Sequence, residues 1–195
     1  MPGPPCVQVG SARHAPCARW SAPARVPLKI CIVSDSHDRA DALRGAVDAA
    51  LREGAQAVIH CGDVIGANTL RPLLAAGVPV HVVHGNNLGD CPAMSRLAHE
   101  SGGAIVYHGA DGDLRLGGRR IYVTHWPHLA RGMACTGDYD LVCCGHTHEA
   151  SVQRQANIEG GETWMVNPGT VAALGAPARW VLGDLERMHF DVRAL

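Results

Sequence analysis

Short apolar runs rich in β-branched residues recur along the chain, and each one stops at a polar or glycine-containing turn. Residues 28–34 read as a strand, which stops at Asp35-Ser36-His37-Asp38. Over residues 40–53 the period lengthens: Leu43, Ala46, Val47, Ala50 and Leu51 share a stripe, which predicts a helix ended by Gly54. Residues 57–60 predict a second strand, running into Cys61-Gly62-Asp63. Asn68 is placed to cap a helix over residues 68–76, with Pro72 near its first turn and Gly77 closing it. Residues 78–83 predict a third strand that stops at His84-Gly85-Asn86-Asn87, and Pro92 opens a helix reaching residue 101.

Beyond that point the helical period fades. Residues 104–107, 113–116, 120–124, 141–144, 151–155, 163–166, 180–183 and 187–192 all read as short strands, with turns at Gly117-Gly118 and Gly160-Gly161. A first half that alternates strand and helix, joined to a strand-rich second half, predicts two sheets packed face to face with helices outside. Open α/β sheets bind ligands at the carboxyl ends of their strands. Those ends are therefore where the chemistry is expected.

Composition narrows the class without naming a partner. At 195 residues and 47% apolar, the chain suits one well-buried domain, and a net charge of −1 offers no footprint for nucleic acid. No apolar run reaches the roughly 20 residues of a spanning helix, so no membrane partner is expected. The eight cysteines contain no Cys-x-x-Cys pair, and several fall inside predicted strands as small apolar residues. This pattern fits a reducing compartment, and the cytoplasm is the expected location. Residues 1–27 are rich in Pro, Ala and Arg, hold no acidic residue and show no period; they are expected to be a disordered or mis-assigned N-terminal extension.

The strand ends carry the candidate chemistry. The run Asp140-Leu141-Val142-Cys143-Cys144 breaks at Gly145, and His146 and His148 follow. Two imidazoles leaving one turn either converge on a divalent cation or stand as solvated turn residues. The other strand ends decide, because each supplies a further donor: Asp35 and His37, then Asp63, then Asn86, then His125. Carboxylates, an amide and imidazoles set beside glycine turns in this order point to one shared metal centre. No thiolate belongs to the set, which argues against structural zinc.

In sequence, Asp35-Ser36-His37, Gly62-Asp63, Gly85-Asn86, His125 and Gly145-His146-Thr147-His148 resemble the ordered motifs of the calcineurin-like metallophosphoesterase superfamily. The short chain resembles its small bacterial and archaeal phosphodiesterase branch, and Asn167-Pro168-Gly169-Thr170 is similar to that branch's Asn-Pro-Gly-Ser turn. The resemblance covers residues 28–195 and implies one α/β domain, a four-layer α/β/β/α sandwich of two mixed sheets flanked by helices. It assigns Asp35, His37, Asp63 and His148 to one metal and Asp63, Asn86, His125 and His146 to the other, with Asp63 bridging. The implied activity is hydrolysis of a small phosphodiester by a hydroxide held between two divalent ions, with Asp63, Asn86 and His125 in the catalytic centre. Manganese is the first expectation, with Fe, Zn, Ni, Co and Mg as alternatives, and a homo-oligomer, dimer or tetramer, is implied only by resemblance. A phosphomonoesterase or nucleotidase is the rival activity. A non-catalytic scaffold of the same fold is the rival class, and a donor at every ligand position favours the enzyme.

The chain departs from the family's pattern in two places. Many members carry a histidine after the ligand asparagine, whereas here the residue is Asn87, which cannot give up a proton at neutral pH. Diesters with good leaving groups are then favoured. The second departure is Trp126-Pro127-His128 after His125, where glycine is common in the family; Trp126 is read as a packed loop residue or a wall that stacks on an aryl group, and His128 as a solvated residue or stand-in acid. His60, His81 and His84 are read as packing or support for ligands, and His14, His99, His108 and His189 as surface. Asp38 is expected to cap the following helix, and Arg39 to be an exposed helix-start residue.

Overall fold

A computed structural model describes residues 28–195 of the protein, so the expectation for residues 1–27 lies outside the described residues. The strands are β1 (Lys29–Val33), β2 (Ala55–His60), β3 (Val80–Val82), β4 (Ile105–Tyr107), β5 (Asp111–Leu116), β6 (Arg119–Thr124), β7 (Leu141–Cys143), β8 (Ala150–Ala156), β9 (Glu162–Pro168), β10 (Arg179–Asp184) and β11 (His189–Ala194). The helices are α1 (Ala40–Arg52), α2 (Cys91–Glu100) and α3 (Pro127–Thr136), with a 3-10 helix at Ala67–Ala75. Two sheets form, in the orders β11-β10-β1-β2-β3-β4 and β5-β6-β7-β9-β8. β1 to β4 run parallel, as do β6, β7 and β9, while β10, β11, β5 and β8 pair antiparallel.

Side-chain alternation within each strand divides the core into layers. Ile30 and Ile32 of β1 and Ile59 of β2 face Ile121, Val123 and Leu141 of the second sheet, forming the inter-sheet core. Cys31 and Val33, one residue out of phase, face the other way onto Leu43, Val47 and Leu70 beneath α1 and the 3-10 helix. Val142 and Cys144 likewise point outward onto Ala130 and Ala134 of α3. The result is the expected four layers: helices, sheet, sheet, helix. Cys143 and Cys144 lie in different layers, so no bond joins them, and Cys31, Cys61, Cys91, Cys135, Cys143 and Cys144 are all free.

Three local readings need correction. The segment after Thr124, read without a helix, contains α3. Its signals were Pro127 at the first helical position and the i, i+4 spacing of Ala130 and Ala134, obscured by Gly132 in the interior. The segment read as a helix capped by Asn68 is 3-10, starts after Gly66 and has no side-chain cap. Pro72 within it supplies no N–H and its ring opposes the carbonyl four residues back, which disfavours α geometry. Asp38 does not cap α1, whose N-cap is Arg39 without a side-chain bond; its Oδ1 instead accepts from Gly66 N–H at 2.7 Å and Thr69 Oγ at 2.8 Å. That ties the first strand-end loop to the 3-10 helix.

Candidate metal centre

Because β1, β2 and β3 are parallel, their following loops leave the same edge, and β6 and β7 bring their own loops to meet them. Backbone hydrogen bonds join the loops directly: Asp35 N–H donates to Gly62 O at 3.0 Å, His37 N–H to Asp63 O at 3.0 Å, and Gly145 N–H to His125 O at 3.1 Å. The Asn167-Pro168-Gly169-Thr170 turn fastens the set from behind. Asn167 Nδ2 donates to Gly145 O at 2.8 Å and to Thr147 Oγ at 3.0 Å, while Thr170 Oγ donates to Asp35 O at 2.9 Å. From the sequence only a resemblance marked this turn; here it has a mechanical role.

The loops are held in an unfavourable conformation. Asp35 (φ 54°), His37 (42°), Asp63 (54°), His146 (73°) and His148 (63°) are all left-handed. Asp and His tolerate this region better than most residues, but it still costs on the order of 1 kcal/mol each, and such residues gather at functional sites. Close packing also demands glycine here. A methyl on Gly145 would overlap Ser34 Oγ and come within 2.8 Å of Asp35 Oδ2, and one on Gly85 would overlap Asp63 Oδ1.

The side chains form two facing groups that share Asp63. In the first, His148 Nε2 lies 3.3 Å from Asp35 Oδ1 and 3.3 Å from His37 Nε2, and His37 Nε2 is 3.7 Å from Asp63 Oδ2. In the second, His125 Nε2 lies 3.5 Å from Asp63 Oδ1 and 3.0 Å from Asn86 Oδ1, and His146 Nδ1 is 2.9 Å from the same Asn86 oxygen. One carboxylate therefore turns one oxygen toward each group. Every sequence-derived donor, Asp35, His37, Asp63, Asn86, His125, His146 and His148, is brought together.

His125 Nδ1–H donates to Cys61 O at 2.8 Å and His148 Nδ1–H to Leu174 O at 2.7 Å, so each Nε2 presents a lone pair to the centre. Those lone pairs face oxygen atoms that are acceptors themselves. Asp35 Oδ1 is buried and has no hydrogen-bond donor. Burial pushes the Asp35 carboxyl above its ordinary range, the expected response of an anion removed from water without compensation. Lone pairs converging on lone pairs are unfavourable alone and favourable around a divalent cation, and the mixed O and N set matches Mn, Fe, Co, Ni or Zn chemistry. The ligand atoms of Asp35, His37 and His148 lie within 4.8 Å of one another, as do those of Asp35, Asp63 and His125, so Asp35 also approaches the second half.

The surrounding residues have distinct positions. Asn87 donates its backbone N–H to Asp63 Oδ1 at 2.9 Å and its Nδ2 to Asp63 Oδ2 at 2.6 Å, steadying the shared carboxylate. His60 is fully buried, accepts from Gly62 N–H through Nδ1 and meets Ser36 Oγ at 3.0 Å through Nε2, which supports the first loop from below. Burial lowers its pKa to about 3, so it stays neutral. His128 is exposed, with its ring 6.0 Å from that of Trp126. His84 bonds Tyr107 Oη at 2.6 Å, and His108, expected at the surface, is half-buried against His81 with 3.0 Å between ring nitrogens.

A two-sheet sandwich with carboxylate, amide and imidazole donors gathered over adjacent strand ends has the architecture of a metal-dependent hydrolase. The chain belongs to the calcineurin-like phosphoesterase superfamily, whose domain model matches residues 28–188, and it is a phosphoesterase, a hydrolase of phosphate esters. Membership implies divalent metal ions. Phosphodiesterase MJ0936 of Methanocaldococcus jannaschii is 28% identical over 168 residues, 84% of this chain and 96% of that protein. Among solved structures, an archaeal phosphodiesterase superposes with a TM-score of 0.78 at 22% identity, over 86% of this chain and 100% of that one. The E. coli phosphoesterase Yfce gives 0.59 at 21% identity, over 86% and 99%. A Vps29 single mutant from Entamoeba histolytica gives 0.58 at 15% identity, over 86% and 98%. These structural likenesses speak to the fold. No helix among the described residues is long and apolar enough to cross a membrane.

Proposed function

We propose that the protein is a dinuclear, metal-dependent phosphodiesterase. The observation that carries this reading is the Asp63 carboxylate, whose two oxygens face separate groups of lone-pair donors. Asp35, His37, Asp63 and His148 would hold one divalent cation, and Asp63, Asn86, His125 and His146 the other. When bound, the pair supplies Lewis acidity, which lowers the pKa of a water toward neutrality and neutralises charge on the phosphoryl oxygens. Manganese is the proposed metal, chosen among the ions that a mixed oxygen and nitrogen donor set accepts.

The chain's own residues orient and support. Cys61 O and Leu174 O set the tautomers of His125 and His148, and the two Asn87 donors fix the plane of the Asp63 carboxylate. Asn87 stands where many relatives have an imidazole, and its amide transfers no proton. A leaving group must then depart without a proton from this residue, which favours esters with acidic leaving groups. The phosphodiesterase name of the 28% identical relative supports a diester substrate. A small phosphodiester, a cytoplasmic location and a homo-oligomer complete the proposal.

The test is elemental analysis of purified protein alongside hydrolysis of bis(4-nitrophenyl) phosphate and 4-nitrophenyl phosphate with Mn²⁺ added. Two ions per chain and preference for the diester are expected, both lost in Asp63→Ala. Preference for the monoester would move the reading to a phosphomonoesterase. Hydrolysis of neither, with no bound metal, would remove the enzyme reading.

A further inference from the structure

Trp126 follows His125 directly, and Pro127 opens α3 behind it. A residue before proline is steered out of the helical region, and Trp126 is accordingly extended at φ −92°, ψ 118°. Proline fixes the next φ, and α3 is anchored through Ala130 and Ala134, both fully buried. The backbone that carries the indole is therefore held from both sides. Its ring lies 4.9 Å from that of His146, tilted by 51°, and 5.5 Å from that of His125 at 77°. The indole stands on the rim of the proposed metal centre, half-buried, with surface still open to solvent.

Around the indole the centre consists of carboxylate, amide and imidazole groups, so Trp126 sets an apolar, stackable ring surface beside a polar site. We infer that Trp126 forms an apolar subsite that selects phosphodiesters bearing a planar aromatic ester group. This inference rests on the phosphodiesterase reading above. The phosphoryl group would lie over the donor set, and the aromatic ring would stack on the indole face.

Stacking of a ring on an aromatic side chain corresponds to about 5- to 150-fold in affinity. The test compares diphenyl phosphate with diethyl phosphate, which share the anionic head and differ in their ester groups. Both are measured as inhibitors of bis(4-nitrophenyl) phosphate hydrolysis by the manganese-loaded protein, and by calorimetry, which needs no turnover. The parent should bind the diphenyl ester at least about 10-fold more tightly. Trp126→Ala should bring the ratio to within about threefold, and Trp126→Phe should retain most of it. A ratio between two ligands on one preparation is insensitive to the fraction of protein that is loaded or folded. A parent ratio near unity, or a ratio unchanged in Trp126→Ala, overturns the inference and leaves the phosphodiesterase reading intact. Failure of the parent to hydrolyse bis(4-nitrophenyl) phosphate overturns both.

Discussion

Gly85→Ala tests the packing that holds the centre together without replacing a donor. The added methyl would overlap Asp63 Oδ1 and lie 2.7 Å from His125 Cδ2 and 2.8 Å from His125 Cγ. Ordinary carbon contact begins near 3.5 Å, so His125 or the strand end must move by about 0.8 Å. Neither neighbour has room, since Asp63 is 2% exposed and His125 fully buried. Overpacking of this kind costs about 1–3 kcal/mol, equivalent to a fall of about 2–12 °C in Tm for a chain of this size. The effect on metal should be larger in proportion. Ligand positions tolerate only about 0.2 Å, so a loss of about 10- to 100-fold in metal affinity is expected, the range seen when supporting contacts are removed. Gly132→Ala is the control. It sits inside α3 with nothing within 4 Å of the new methyl, and should raise stability by about 0.5–1 kcal/mol. Calorimetric Mn²⁺ titration and thermal melts read both variants. A Gly85→Ala protein that binds metal and hydrolyses diester within twofold of the parent would refute the described packing.

Other consequences follow from the strained loops and buried polar groups. His146→Gly removes an exposed left-handed side chain at φ 73°, so melts in EDTA should show about 1 kcal/mol of added stability while Mn²⁺ affinity falls. Asn167→Ala removes the donor to Gly145 O at 2.8 Å and to Thr147 Oγ at 3.0 Å, and leaves the buried Gly169 N–H without the Asn167 Oδ1 it donates to at 3.0 Å. Urea denaturation should then show a loss of about 1–3 kcal/mol. The pH dependence has a definite sign. Burial lowers His81 from 6.5 to about 4 and His60 to about 3, so on acidification the unfolded chain takes up protons before the folded one does. Stability is full above 6.5 and declines as pH falls from 6.5 toward 4, with the His60 part continuing to about 3. Urea midpoints of metal-free protein from pH 8 downward should trace this, with a shallower slope in His81→Gln.

Much of the centre was legible because its residues obey short-range rules. Asp35, Asp63, Asn86, His125 and His146 each follow an apolar run closely, and parallel strands bring such positions to one edge whatever lies between. The layer assignment was legible for the same reason: Ile30 and Cys31 are adjacent in sequence and necessarily opposite in the sheet. What escaped depended on tertiary partners. Asp38 was expected as a cap because local geometry favours one, but Gly66 and Thr69, distant in sequence, compete for its oxygen and win. The His81 and His108 pairing joins residues on neighbouring strands β3 and β4 and their connections, so no spacing rule reveals it. Helix α3 was hidden by Gly132, although Pro127 marked its start. The support from Asn167 to the Gly145 loop spans two strands' separation and becomes visible only when β7 and β9 are seen to be neighbours.

The most direct test of the central claim is titration of Mn²⁺ into metal-free protein while bis(4-nitrophenyl) phosphate hydrolysis is followed. Asp63 turned toward two donor groups predicts that activity is absent without metal and reaches its plateau at two equivalents per chain. Hydrolysis that ignores metal, or a plateau at one equivalent, would contradict the dinuclear account.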